Sequence, residues 1–458
     1  MVKVVKPRLM HYLPEARAFG QTKCLPVLSH AHLSRRQFAS SLLAGGAALA
    51  ITPQSMLAGP GTVKPHTVKS NEKLLDELQR RACTYFREAA DAKTGLVLDR
   101  VRVQGRETRY VASIAATGFG LSALCIADDR HFMDRKAAKA QVLRTLDELV
   151  HETDHERGFF YHFVDARTGQ RAWGSEASSI DTTWLLCGVM HCREYWADDA
   201  IKRLATQVID RVDWSWMRRG SDTLCHGWTP EIGFLPYRWD SYSEMLAMYL
   251  LAIGANSSPI PASSWDAWKR PMREIDGMIY MDAETPLFVH QYSHAWLDFR
   301  GRRDRYANYY RNSQRATEAH RQFCIDLSPK FPWFGPDMWG VTASDSRSGY
   351  RDWGAAAAQI DGTLVPCAAG GSIAFLPEEC ELVLETMLNR YGKNIWSRYG
   401  FVDAFQPAEK WWSPDVLGID LGIMLLMAEN TRSNAVWDVM MSTPEVRRAM
   451  DAVSLVKI

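Results

Sequence analysis

Helical periodicity runs through this chain from Ser70 almost to its end. In segment after segment, apolar residues recur every three or four positions, the spacing that lines one face of an α-helix. The pattern predicts helices over Glu72–Ala90, Ser113–Ala127, Lys136–Glu152, Ser179–Trp196, Ala200–Val212, Tyr242–Ile253, Ser263–Arg273, Gln291–Phe299, Asp304–Leu327, Glu378–Tyr391, Gly418–Asn430 and Ala435–Thr443. Short alternating runs at Gly158–Phe163 and Gly277–Met281 predict minor hairpins. So many helices exceed what one bundle core can enclose, because a single core stops growing at about 250–300 residues. A closed ring of helical hairpins escapes that limit: each hairpin packs on its neighbours, the core becomes an annulus, and loops at one end surround a central site. The expected fold is all-α, an (α/α)6 toroid with minor β-hairpins, with a two-domain helical protein as the alternative.

The first 58 residues read differently. Ser34-Arg35-Arg36-Gln37-Phe38 precedes an uncharged stretch from Ala39 to Ile51 rich in Ala, Gly and Leu, the order of a twin-arginine (Tat) export signal. That run is shorter than the roughly 20 apolar residues that span a bilayer, which favours a cleaved leader over an anchor. Expected boundaries are a signal over 1–58 ending after Ser55-Met56-Leu57-Ala58, a linker over 59–70 and one domain over 71–458. The Tat machinery is then a partner, the destination periplasmic or secreted, and no stable membrane insertion follows cleavage. Without the leader, 47 basic residues face 52 acidic ones, a poor balance for nucleic acid or an anionic membrane. The nine cysteines show no CxxC pair, so no zinc or iron–sulfur spacing is visible, and burial as small apolar residues is their expected role.

Chemistry is written between the helices. Gly158-Phe159-Phe160-Tyr161-His162-Phe163 leads into Arg171-Ala172-Trp173-Gly174-Ser175-Glu176, and Ser178-Ser179-Ile180-Asp181 opens a helix. His226-Gly227-Trp228 precedes Gly233-Phe234-Leu235-Pro236-Tyr237-Arg238-Trp239 and Tyr242-Ser243-Glu244; further on come His290-Gln291-Tyr292-Ser293-His294, Asp337-Met338-Trp339, Asp345, Tyr399-Gly400-Phe401-Val402-Asp403 and Leu417-Gly418-Ile419-Asp420. Seventeen tryptophans interleaved with carboxylates suit a sugar site, since ring faces stack on C–H groups while acidic and basic side chains bind hydroxyls. The same tryptophans also suit plain helix packing.

These blocks, in this order from Ala116-Thr117-Gly118-Phe119-Gly120 to Glu429-Asn430, resemble glycoside hydrolase family 144, the glycoamylase-like domain. The resemblance implies an (α/α)6 fold, metal-free and cofactor-free chemistry, and inverting hydrolysis of β-1,2-glucan or its oligosaccharides, either endo-acting or releasing sophorose. A non-catalytic envelope or carbohydrate-binding protein, and a transglycosylase, remain alternatives on the same scaffold.

Glycoside hydrolysis needs one carboxylic acid to protonate the leaving oxygen and one carboxylate to activate water. Glu244, beside Trp239 and Tyr242 at the start of an apolar helix, is the candidate acid, since such surroundings keep a carboxyl protonated. Asp403, in a turn between Phe401 and Phe405, is the candidate base, with Asp345 and Asp337 in reserve. Glu176, Asp181, Arg238, Trp239, Tyr242, His290, Gln291, His294, Trp339 and Asp345 are candidate substrate contacts. Each has a structural reading beside it: Asp181 falls in a helix's first turn, and a lone histidine on a helix is commonly a satisfied core residue. His290 and His294 share a helical face, but no HExxH pattern joins them, so no metal is expected.

Overall fold

The computed structural model describes residues 71–282, 286–353 and 360–458; the expected leader and the linker fall outside them. In chain order the α-helices are α1 (Glu72–Glu88), α2 (Ile114–Asp129), α3 (Arg135–His151), α4 (Ser179–Tyr195), α5 (Asp199–Asp210), α6 (Trp214–Arg218), α7 (Leu246–Gly254), α8 (Tyr292–Trp296), α9 (Tyr309–Asp326), α10 (Pro366–Gly370), α11 (Pro377–Ile395), α12 (Gly418–Arg432), α13 (Ala435–Met440) and α14 (Pro444–Ala452).

Two kinds of helix alternate. In α2 every residue from Ile114 to Asp128 is buried, and so is every residue of α7, as a helix covered on all sides requires. By contrast α1 buries one stripe, Leu74, Leu75, Leu78, Ala82, Cys83 and Phe86, and turns charged residues outward. The apolar helices α2, α4, α7, α8, α10 and α12 form the inner wall, and amphipathic helices such as α1, α3, α5 and α11 lie outside it. Helix α12 packs back on α2, with α1 lying over both, so the last inner helix meets the first and the ring closes. The fold is the expected (α/α)6 toroid.

The closest inner contact, α2 on α4, is made by glycines. A Cβ on Gly118 would stand 2.2 Å from the Trp184 carbonyl oxygen, and one on Gly188 would stand 2.0 Å from that of Gly118. Backbones can cross at that distance only where side chains are missing.

Short strands run straight into three inner helices: Val111–Ser113 into α2, Ala177–Ser178 into α4 and Asp415–Leu417 into α12. Extended Ser113 and Ser178 cap α2 and α4, each accepting an N–H from three residues on at 3.2 Å. The strands pair antiparallel with Phe163–Asp165, Gly227–Thr229 and Arg100–Arg102. The resulting rim gathers the N-termini of these inner helices, and the site lies there.

Several elements differ from the periodic reading. Helix α7 begins at Leu246 rather than Tyr242, because Tyr242 N–H is drawn to Lys269 O (2.9 Å) and the chain turns through Ser243–Met245. Helix α9 begins at Tyr309 rather than Asp304, whose carboxylate instead accepts the N–H groups of Tyr306 and Ala307 in a local turn. Ser263–Arg273 is not a helix: a single 3-10 turn (Ala262–Trp265) precedes an antiparallel hairpin of Met272–Ile275 with Met278–Met281. Its Asp276-Gly277 turn has both φ values positive (48° and 76°), the Asp-Gly signature of a tight hairpin. Helices α10 and α14 lay outside the predicted set, although Pro366 and Pro444 stand at their first turns as start signals.

All eight cysteines among the described residues are buried and free; Cys125 and Cys192 approach to 3.6 Å between their sulfurs, where α2 meets α4.

Candidate active site

Two groups of ionisable side chains stand on this rim. The first is built on the strand Phe163–Asp165, the strand Ala177–Ser178 and the first turn of α4. His162 Nδ1 lies 3.2 Å from Glu176 Oε1, and its Nε2 lies 3.5 Å from Asp181 Oδ1, so the imidazole stands between two carboxylates. Burial works against charging this ring, but Asp181 and the Glu176 hydrogen bond outweigh it and push its pKa up to about 9. The His162 contact likewise overcomes burial to hold Glu176 below the usual carboxylate range. Asp181, taken deeper, is raised by burial although the Ser178 hydroxyl donates to its Oδ2 at 2.6 Å.

One ligand atom from each of these three residues falls within 4.8 Å of the others, a spacing that could hold a cation. The proton on the imidazole already supplies the positive charge there. A metal would have to displace it.

Glu244 belongs to the same neighbourhood. It lies in the turn before α7, partly open to the surface, with its carbonyl held by the Ser293 hydroxyl of α8 and its carboxylate accepting from Ser243. Burial raises its pKa and the negative charge of Asp181 raises it further, which favours the protonated form. Opposite the Glu176 side, His226 stacks on Trp239 (centroids 4.0 Å, planes 19° apart), and burial pushes its pKa down to about 4, so it is neutral.

The second group comes from the C-terminal third. Asp403 and Asp420, the latter in the first turn of α12, are both buried and near enough for their carboxyl groups to shift each other's pKa. Asp345 donates its backbone N–H to Asp403 Oδ2 at 2.7 Å. Two acids coupled in this way lose their protons in turn, and between the two steps they hold one proton jointly. Burial first, and then the charges of Asp420 and Asp345, hold Asp403 well above the usual carboxyl range, while burial lifts Asp420 to about 6. Arg100 pairs with Asp99 and Asp345 (3.0 Å each), and Arg109 makes a two-pronged bond to Asp415 at 2.8 Å.

One residue feels both groups. Tyr292, at the start of α8, is buried, and burial first, then the charges of Asp420 and Glu244 among others, hold its phenol well above the usual tyrosine range.

The remaining sequence candidates divide sharply. Glu176, Asp181 and Asp345 are in the two groups, and Trp239 lies behind the site, its indole N–H donated to Ser179 Oγ at 2.9 Å. Arg238 is not free to bind substrate, because its guanidinium is spent on Thr223, Cys225 and the Arg218 carbonyl. Tyr242 is fully buried, its hydroxyl 3.2 Å from His290 Nδ1. Gln291 is a core residue bonded to Ala368 O and Ser372, and His294 is buried against Ser313 with its pKa pushed down to about 3. Trp339 is wholly buried. Asp337 sits on the outside, paired with Arg390. Four rim residues were not singled out from sequence: His162, Asp99, Arg100 and Asp420. His162 and Asp420 lie inside aromatic or glycine-containing blocks that did stand out, whereas nothing around Asp99-Arg100 marks it.

The chain is similar to several known proteins. Residues 236–444 match the model of the Glycoamylase family, described as "Putative glucoamylase". An exo β-1,2-glucooligosaccharide sophorohydrolase (non-reducing end) of Parabacteroides distasonis is 26% identical over 427 residues, covering 85% of this chain; the chain spans 58% of that relative's length. The endo-β-1,2-glucanase of Chitinophaga pinensis, solved with sophorotriose and glucose, superposes with a TM-score of 0.78 at 27% identity, over 84% of this chain and 98% of that one. A β-1,2-glucanase of Parabacteroides distasonis gives a TM-score of 0.78 at 25% identity, over 84% of this chain and 60% of that one.

Proposed function

We propose that this chain, which matches the Glycoamylase family model over residues 236–444, is a glycoside hydrolase acting on β-1,2-linked glucan or its oligosaccharides. The observation that carries this reading is the match to an endo-β-1,2-glucanase over 84% of the chain, in a fold whose rim holds three acids, Glu244, Asp403 and Asp420, each raised by burial.

The reaction follows from their protonation states. Glu244, whose protonated form its surroundings favour, donates its proton to the glycosidic oxygen as the bond to the anomeric carbon breaks. A water on the opposite face of the sugar attacks that carbon and gives its proton to the acidic pair, which inverts the configuration. Asp403 was expected to be the base alone. Burial first and then its acidic neighbours push its pKa well up, so this reading makes the pair the base, with Asp420, raised to about 6, as the member ionised near neutrality. His162 fixes Glu176 and Asp181 as hydroxyl acceptors, and Asp345 orients Asp403.

Export through the Tat machinery to the periplasm or beyond is part of the same proposal. It rests on Ser34-Arg35-Arg36-Gln37-Phe38 and the apolar run that follows.

The decisive assay is reducing-sugar release from linear β-1,2-glucan by the mature protein, with the anomer of the first product read by NMR. Sophorose or slightly longer products with inverted configuration are expected. Inactivity on that polymer together with activity on starch or cellulose would overturn the linkage, and a retained anomer would overturn the mechanism.

A further inference from the structure

Seventeen tryptophans lie among the described residues, and all but one are buried or half-buried. The exception is Trp173, 64% exposed. A single exposed aromatic is ordinary on a protein surface, but this one carries two further features. Its φ is +53°, a left-handed backbone that a bulky residue adopts only under constraint, and Gly174 follows at +63°. The constraint is visible: the Arg171 guanidinium bonds the carbonyls of Gly174 and Ser175 while pairing with Glu231 across the rim. Strain maintained in this way is characteristic of functional positions.

The second feature is where the ring stands. Trp173 packs on Phe163 (centroids 5.0 Å), and Phe163 stacks almost parallel on His162 (3.9 Å, 16°). An aromatic column thus runs outward from the imidazole clamp, ending in an indole face offered to solvent.

We propose that Trp173 is the platform of an outer glucosyl subsite, stacking against a sugar of the chain beyond those held by the His162–Glu176–Asp181 clamp. This rests on the hydrolase reading of the site above. An indole face presents apolar area to the C–H side of a pyranose while its hydroxyls stay in water. Such a platform is felt by long substrates and much less by short ones, so it sets chain-length preference.

Two measurements test it. In the wild type, iodide should quench the exposed fraction of tryptophan fluorescence, and linear β-1,2-glucan should protect it; Trp173→Phe should remove that fraction. In kinetics, Trp173→Ala should raise KM for the polymer about tenfold, with kcat changed less than about twofold and a smaller KM effect on the shortest oligomer cleaved; Trp173→Phe should recover most of the loss. Turnover of the polymer without protection, or an unaltered polymer KM in Trp173→Ala, overturns the platform. Protection of Trp173 without turnover upholds the platform and defeats the hydrolase reading.

Discussion

At one edge of the site a cation stands between two carboxyl groups; at the other edge two carboxyl groups face each other directly. His162 separates Glu176 from Asp181, and its charge satisfies both. Arg100 sits to one side of the second group, taken up by Asp99 and Asp345, which leaves Asp403 and Asp420 to share a proton. The first arrangement fixes charge and suits holding hydroxyls. The second leaves a proton poorly fixed and suits moving one. Placing like charges together is costly to the fold, which is a physical reason to look for chemistry at the C-terminal group.

The largest effects should come from the proton movers. Glu244→Gln keeps shape and removes the transferable proton, so kcat on β-1,2-glucan should fall by about three orders of magnitude with an unaltered circular dichroism spectrum. Retained activity would move the acid elsewhere. Asp420→Asn should reduce kcat about 100-fold, Asp403→Asn should do the same, and the double variant should be little worse than either, because the two act as one unit. Additive losses would separate the pair into independent residues.

The same substitution should have the opposite effect on stability. A buried acid whose pKa is raised by folding destabilises the protein above its ordinary pKa of 3.8, with the full cost reached as pH climbs through about 6. Asp420→Asn should therefore melt higher than the wild type at pH 7–8, by on the order of 2 kcal/mol, and show no such advantage near pH 4. Activity should follow the same group: the wild-type rate falls as pH drops through about 6 and the pair loses its ionised form, and falls again at higher pH as Glu244 deprotonates. A pH profile without the acid limb would remove Asp420 from the base.

How far these groups could be read in advance follows their chemistry. Glu176 and Asp403 lie in aromatic, glycine-containing blocks between the predicted helices, and Asp181 and Glu244 fall in the first turns of predicted helices that follow such blocks, so these breaks are visible in one dimension. Asp420 is written as an ordinary first-turn aspartate, and only the fold brings it against Asp403, 17 residues earlier in the chain. Arg238, Gln291 and His294 mislead for the converse reason. Their blocks are distinctive because tight packing specifies them, so they resemble site motifs while serving the core. The ring itself was legible because the helical period recurs in more segments than one bundle core can enclose. The hairpin after Trp268 was legible only in its second half, the alternating run Gly277–Met281; its first strand was read as helix, from a weak helical period that Pro271 and Asp276-Gly277 override.

The smallest effect probes the clamp. His162→Gln removes a cation from between two carboxylates. Breaking a fully buried pair costs about 3–5 kcal/mol, but the His162 and Glu176 side chains are still about one-third open to solvent, so about 1–2 kcal/mol is expected here. Because folding raises this imidazole from its ordinary 6.5 to about 9, its contribution is complete below pH 6.5 and disappears as pH rises through 9. The wild type and His162→Gln should thus differ in melting temperature at pH 6 and converge near pH 10, the reverse of the pH trend expected for Asp420→Asn. If the gap instead stayed constant with pH, the imidazole would be acting through packing on Phe163 alone, and the contrast between a fixed charge at one edge and a shared proton at the other would fail on this side.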